Sequence, residues 1–411
     1  MKIRNIVFSA LICIFLCGPA ALWVAQERTH LDLPTWFTAE DARYLSGGIS
    51  KAEVGKNLNL EGFANEKLQS ALESKIGNYV PIKARALLTN AGIQRKAIDL
   101  SNSFFNWDCY PTYYGSAYIF LPEQSAIATF PAYDRNYYDQ LDSFCESIAT
   151  YAKEHSTLRI KIYLADMSST SKANPAAQYV SRIFFTQDAV DYIKNHLEDC
   201  SNIQVYTDTY TNPAEYYSYY FRSDHHWNAR GALRAFETMG NQTNPECGAI
   251  SSQGFREVEG PPYSGSYMRA GLCPVEDKPF DLAYKFDNIA LENSNSSWSG
   301  EEHELYYSAD KLKQQHQFYD LYFNATPWFK NKKPASSNAI IVIDSFGCAL
   351  ARPLSTEYDA TFCTTALAGH NKTDLKLSEI DDNSHDVTDV IFVGCLGNYL
   401  SFVSRNPHFF E

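Results

Sequence analysis

Ala339–Gly347 reads AIIVIDSFG. The apolar run Ala339–Ile343 is short, continuous and rich in β-branched residues. Continuous rather than alternating hydrophobicity marks a strand covered on both faces, as in a parallel sheet packed between helices. Asp344, Ser345 and Gly347 follow at once, the residue types of a strand-to-helix turn. Two more runs repeat the pattern: Leu158–Ala165 (LRIKIYLA) and Val390–Val393 (VIFV). Ile203–Tyr206 predicts a shorter strand. Between these, apolar residues at Tyr138, Leu141, Phe144, Ile148 and Tyr151 fall at steps of three or four and predict an amphipathic helix over Tyr137–His155. Ala189–Leu197 and Arg230–Met239 predict further helices, and Lys83–Leu100 a short one. Strands alternating with helices predict an α/β sandwich of three layers around a parallel sheet.

The chain has 411 residues, with 45% hydrophobic and 20% charged side chains. That composition excludes a disordered, collagenous or multi-span membrane protein. A formal charge of −13 argues against nucleic acid as a partner, because phosphate binding needs a basic surface. At the N-terminus, Lys2 and Arg4 precede Ile6–Ala25, an uncharged run long enough to span a bilayer. Basic residues before it and Glu27 and Asp32 after it place the body of the chain outside the cytoplasm. Residues 1–26 therefore read as a single-pass anchor or, if cleaved, a signal peptide, with the length favouring the anchor. Residues 27–100 read as tether and helical extension, and 101–411 as the catalytic-type domain with a loop-rich insertion at about 241–334. Eight cysteines beyond the apolar run, without C-x-x-C spacing, predict disulfides in an oxidising compartment; Cys247–Cys273 and Cys363–Cys395 are the suggested pairs. The 28 Tyr, 25 Phe and 6 Trp fit large cores or, alternatively, a surface that stacks on sugar rings.

Two segments carry candidate chemistry. Tyr220–Ala232 (YFRSDHHWNARGA) places Asp224, His225 and His226 on a loop entering a helix, with Asn228 able to cap it. A carboxylate two residues from an imidazole can orient the ring and stabilise its charged form. A satisfied, partly buried histidine pair is the plainer reading, and a metal site would need further ligands. The second segment is the Asp344–Ser345 turn. The carboxyl ends of strands in open α/β sheets are where ligands gather. Together the two segments frame a Ser-His-Asp hypothesis that requires no cofactor and no metal.

The Asp224, His225, His226, Trp227 run, with Gly231 and Ala232 in the helix after it, resembles the DHHW family of exported bacterial proteins. That family is similar to the SGNH-hydrolase-like domains of alginate O-acetylation proteins. Tyr263–Gly271 (YSGSYMRAG) and the strand ending in Asp344–Ser345 resemble further blocks of the family. The likeness spans about residues 100–411. It implies an SGNH-hydrolase-like three-layer sandwich with permuted motif order: Asp224 as orienting acid, His226 as general base, with His225 as its competitor, and Ser345 as nucleophile. Asn398 is the implied oxyanion donor, with the Ser345 N–H as the other. The segment Gly394–Asn398 departs in spacing from the usual G-x-N-D block. The implied activity is acyl, specifically acetyl, transfer to a cell-surface polysaccharide, supplied by a membrane acyl-donor protein. An esterase using water, or a non-catalytic envelope-binding module, are the alternatives. Tyr267 and Trp298, in the aromatic insertion, are candidate sugar-binding residues.

Overall fold

A computed structural model describes residues 14, 18, 21, 58–70, 83–105, 118–121, 126–129, 136–180, 185–240, 255–259, 265–267, 277, 280–284, 289–292, 328–331, 337–355, 357–369, 376–378 and 386–411. The chain forms two compact units: Met1–Tyr118 with Ser264–Val275, and Ile119–Tyr263 with Glu276–Glu411. In the first, the described helices are α1 (Leu60–Ala64) and α2 (Lys83–Phe105). Helix α2 continues past residue 100, where the sequence suggested a boundary. Asn59 caps α1, its side chain accepting from Gly62 N at 2.6 Å. The predicted spanning segment lies outside the described residues, apart from Ile14, Gly18 and Ala21. Among the described residues no helix is long and apolar enough to cross a membrane.

In the second unit the order is β1 (Tyr118–Leu121), β2 (Ala126–Thr129), α3 (Tyr137–Glu154), β3 (Arg159–Ala165), α4 (Ala177–Val180), α5 (Thr186–His196), β4 (Ile203–Tyr206), α6 (Pro213–Tyr219) and α7 (Ala229–Gly240). The insertion contributes β5 (Phe255–Glu259), β6 (Phe280–Tyr284), β7 (Ile289–Glu292) and β8 (Trp328–Asn331). Then come β9 (Asn338–Ile343), α8 (Cys348–Ser355), β10 (Ala360–Thr364), β11 (Val387–Cys395) and α9 (Leu396–Arg405).

The main sheet runs β4-β3-β11-β9-β10-β8-β7. Its first five strands are parallel, and β8 and β7 extend it antiparallel. The continuous apolar runs divide by the two-residue period of a strand. Ile160, Ile162 and Leu164 of β3, Ile340 and Val342 of β9, and Val390 and Phe392 of β11 pack on one face with Leu141, Phe144 and Ile148 of α3 and Tyr399 and Phe402 of α9. Tyr163, Ile341, Ile343, Ile391 and Val393 pack on the other with Phe236 and Met239 of α7 and Leu350 and Leu354 of α8. Each fully buried side chain of this size contributes about 1.5–3 kcal/mol relative to exposure.

The cysteines correct the sequence reading. Cys145, Cys200, Cys348, Cys363 and Cys395 are buried free thiols, so the suggested Cys363–Cys395 pair is absent. Cys363 lies on β10 and Cys395 ends β11, and both pack as small hydrophobes in the core. Burial pushes the Cys363 and Cys145 thiols up to about 12, which keeps them protonated and unreactive. Cys247 and Cys273 lie outside the described residues.

Candidate active site

The Asp224–Trp227 segment forms the tip of a tight reversal between α6 and α7. Asn212 caps α6 through Glu215 N at 2.9 Å, with Pro213 preset for the first turn. The chain then folds back: Asn228 N donates to Tyr219 O at 2.8 Å and Phe221 N to His226 O at 3.2 Å, beside a bridge between Tyr220 and Trp227. Asn228 caps α7 as expected, its Oδ1 accepting from Arg230 N at 3.0 Å and Gly231 N at 3.2 Å. Gly231 permits the close return. A Cβ there would lie 2.4 Å from Tyr219 O and 2.7 Å from the Trp227 Cβ. Trp227 anchors the reversal in the core against Tyr163 and Phe346, with ring centroids 5.8 and 5.5 Å away.

Ser345 sits in the turn after β9. Asp344, beside it, is buried and ties three elements together. Its Oδ1 accepts from Phe346 N at 2.8 Å; its Oδ2 accepts from Cys395 N and from Asn398 Nδ2, both at 2.8 Å. The carboxylate thus fixes the serine turn to the end of β11 and the head of α9. Gly394 makes room for it: a Cβ there would meet Asp344 Oδ2 at 2.6 Å and Leu367 Cδ2 at 2.5 Å.

These two turns bring three predicted residues together. His226 Nε2 lies 2.8 Å from Ser345 Oγ, and His226 Nδ1 lies 2.6 Å from Asp224 Oδ1. Asp224 Oδ1 also accepts the His226 backbone N–H at 3.1 Å, so the carboxylate grips both ring and backbone. An ionised carboxylate only accepts, so Nδ1 carries the proton and the Nε2 lone pair faces the serine hydroxyl. Both Asp224 and His226 are buried, at 3% and 8% exposure. His225 is set differently. Its Nδ1 stands 3.3 Å from Asp224 Oδ1, its side chain is a third exposed, and its ring lies 3.8 Å from that of His226. Donor atoms of Asp224, His225 and His226 come within 4.8 Å of one another, but both ring nitrogens of His226 already face protein partners.

The Asn398 amide is engaged by protein partners. Its Nδ2 donates to Asp344 and approaches Cys395 Sγ at 3.5 Å, and its Oδ1 accepts from Arg405 at 3.3 Å. The charged neighbours on each side fix the amide orientation, so Asn398 braces Asp344. The Ser345 N–H, by contrast, has no acceptor among the described residues and lies at the approach to α8. Tyr267 is buried at 2% exposure, so its ring offers no open stacking face, and Trp298 lies outside the described residues. The bracing role of Asp344 was signalled in the sequence only as the residue before Ser345. The part played by Asp277, described below, carried no signal, because it stands alone in the irregular insertion.

No protein-family model matches the chain, and neither does any curated protein sequence. Solved structures do match. The structure of Bacillus cereus PatB1 superposes with a TM-score of 0.51 and 14% identity, over 69% of this chain and 99% of that one. PatB1 with a sulfonyl adduct gives the same values but for 98% of that chain. A DHHW family protein from Eubacterium siraeum matches with a TM-score of 0.48 and 12% identity, over 66% and 90%. The chain therefore shares the PatB1 α/β fold.

Proposed function

We propose that the chain is an exported serine-dependent acyl transferase that moves an acetyl group onto a cell-surface polysaccharide. The observation that carries the chemistry is the continuous hydrogen-bonded line from Ser345 Oγ through His226 to Asp224. A serine hydroxyl is a weak nucleophile without an adjacent base, and here the base is in contact and its tautomer is fixed. In the proposed cycle, His226 takes the Ser345 proton as Oγ attacks the acyl carbonyl. The Ser345 N–H stabilises the oxyanion, and His226 returns the proton to the leaving alcohol. A sugar hydroxyl, deprotonated by His226, then attacks the acyl-serine and regenerates the enzyme.

The sugar acceptor, the export and the membrane acyl-donor partner rest on the resemblance of the Asp224–Trp227 run to exported DHHW proteins and on the N-terminal apolar run. Hydrolysis, with water as acceptor, uses the same residues. The test is turnover of an aryl acetate by the parent, Ser345→Ala and His226→Ala, with and without oligosaccharide acceptors. Loss of turnover in both variants and acetylated sugar from the parent support transfer. Acetate alone supports the esterase, and full activity in folded Ser345→Ala removes both.

A further inference from the structure

The reversal carrying Asp224 and His226 is also held by a residue from outside it. Asp277 lies 54 residues beyond Ser223, within the insertion. Its Oδ1 accepts the Arg222 N–H at 3.0 Å. Its Oδ2 accepts the Ser223 N–H at 2.8 Å and the Ser223 hydroxyl at 2.5 Å. Ser223 is fully buried and immediately precedes Asp224. The backbone bonds that close the reversal act at residues 219–221 and 226–228. Asp277 acts at 222 and 223, on the approach to the carboxylate that orients His226.

Burial raises the Asp277 pKa above the ordinary carboxylate value. The three hydrogen bonds pull against that rise, and the Asp224 charge adds to it. The Asp224 charge disfavours a second ionised carboxylate nearby, and the donors that Asp277 finds on the loop offset that repulsion. Bonds from several donors to one desolvated carboxylate are among the stronger ones available to a side chain.

From this clamp we infer that Asp277 is a positioning residue: by holding Arg222 and Ser223 it sets the place of Asp224 against His226. The inference rests on the reading of Ser345, His226 and Asp224 as one unit. A displacement of about 1 Å in such a unit costs on the order of 100-fold in rate. Truncating Asp277 is therefore expected to lower kcat by about 10- to 100-fold, with little change in KM for a small aryl ester.

The experiment follows the low-field NMR signal of the His226 Nδ1 proton, and its titration, in the full chain, with Asp224→Asn as the control that abolishes it. In Asp277→Ala the signal should broaden or vanish and the His226 titration should shift, while Asp277→Asn, which keeps one acceptor oxygen, should lie between. Ser223→Ala removes only the hydroxyl contact and should move both readouts less, in the same direction; it serves if Asp277→Ala does not fold. A signal and titration identical to the parent's in a folded Asp277→Ala, or in Ser223→Ala if that is the variant that folds, overturn the inference. If the parent shows the signal but has no Ser345-dependent turnover, the acyl-transfer reading fails and the positioning role is still decided by the NMR comparison.

Discussion

Asp344→Ala would leave three donors without their acceptor: the N–H groups of Phe346 and Cys395 and the Asn398 amide. Asp344 is 1% exposed, so bulk water does not take over the carboxylate's place. A hydrogen bond to a charged group is worth about 1.5–3 kcal/mol, and an orphaned buried donor costs about 1–3 kcal/mol. The three bonds share one carboxylate and do not add independently, so the expected loss is about 3–5 kcal/mol. Asn398→Ala removes one of the three and should cost about 1–2 kcal/mol. If Asn398 works through Asp344, the double variant should be little less stable than Asp344→Ala. Urea unfolding of the four proteins should then give a coupling of about 1–2 kcal/mol. Removing a true oxyanion donor costs about 10²–10³-fold in kcat. The bracing role predicts a clear stability coupling and a kcat loss for Asn398→Ala below that range. No coupling, with a loss of about 10²–10³-fold at unchanged stability, would return Asn398 to the oxyanion site and refute the reasoning.

Gly394→Ala should destabilise by about 1–3 kcal/mol or more and lower turnover, since its Cβ would press on the Asp344 carboxylate; thermal unfolding and aryl acetate assays read both. Burial raises Asp166 from 3.8 to about 6. The folded chain therefore holds a proton that the unfolded chain has lost between those values, and this contribution falls as pH rises through them. Its full size is on the order of 3 kcal/mol, so the stability of the parent relative to Asp166→Asn should drop from pH 4 to pH 7; a constant difference would contradict it. Alkylation of unreduced, denatured protein should modify Cys145, Cys200, Cys348, Cys363 and Cys395, and protection of any of them would restore a disulfide there.

The parallel sheet was legible because its strands are short continuous apolar runs. Ala339–Ile343 and Val390–Val393 each fall within a strand, Leu158–Ala165 matches β3 but for its first residue, and their alternate residues divide between the two cores. Ala360–Thr364 was missed: with Thr361 and Thr364 in a five-residue segment, it lacks an apolar run, although it pairs with β9. The two strands that extend the sheet from the insertion, β7 and β8, are four residues each and too short to show a period. At the site, sequence spacing brought Asp224 and His226 within reach of each other, because both ride one turn. That Ser345 meets His226 across 119 positions is a property of the sheet. The Asn398–Asp344 contact was not legible, because an amide near a strand end has the same residue type whether it faces an oxyanion or a neighbouring carboxylate. The suggested Cys363–Cys395 pair failed for a similar reason: a cysteine count does not separate bridged residues from thiols packed as core atoms.

The most direct measurement is peptide mass spectrometry after brief exposure of the full chain to a sulfonyl fluoride or an aryl acetate, quenched in acid. A sulfonyl or acetyl group is expected on Ser345, formed at least about tenfold more slowly in His226→Ala and absent in Ser345→Ala. Modification of another residue with Ser345 untouched, or equal labelling of Ser345 in folded His226→Ala, would contradict it.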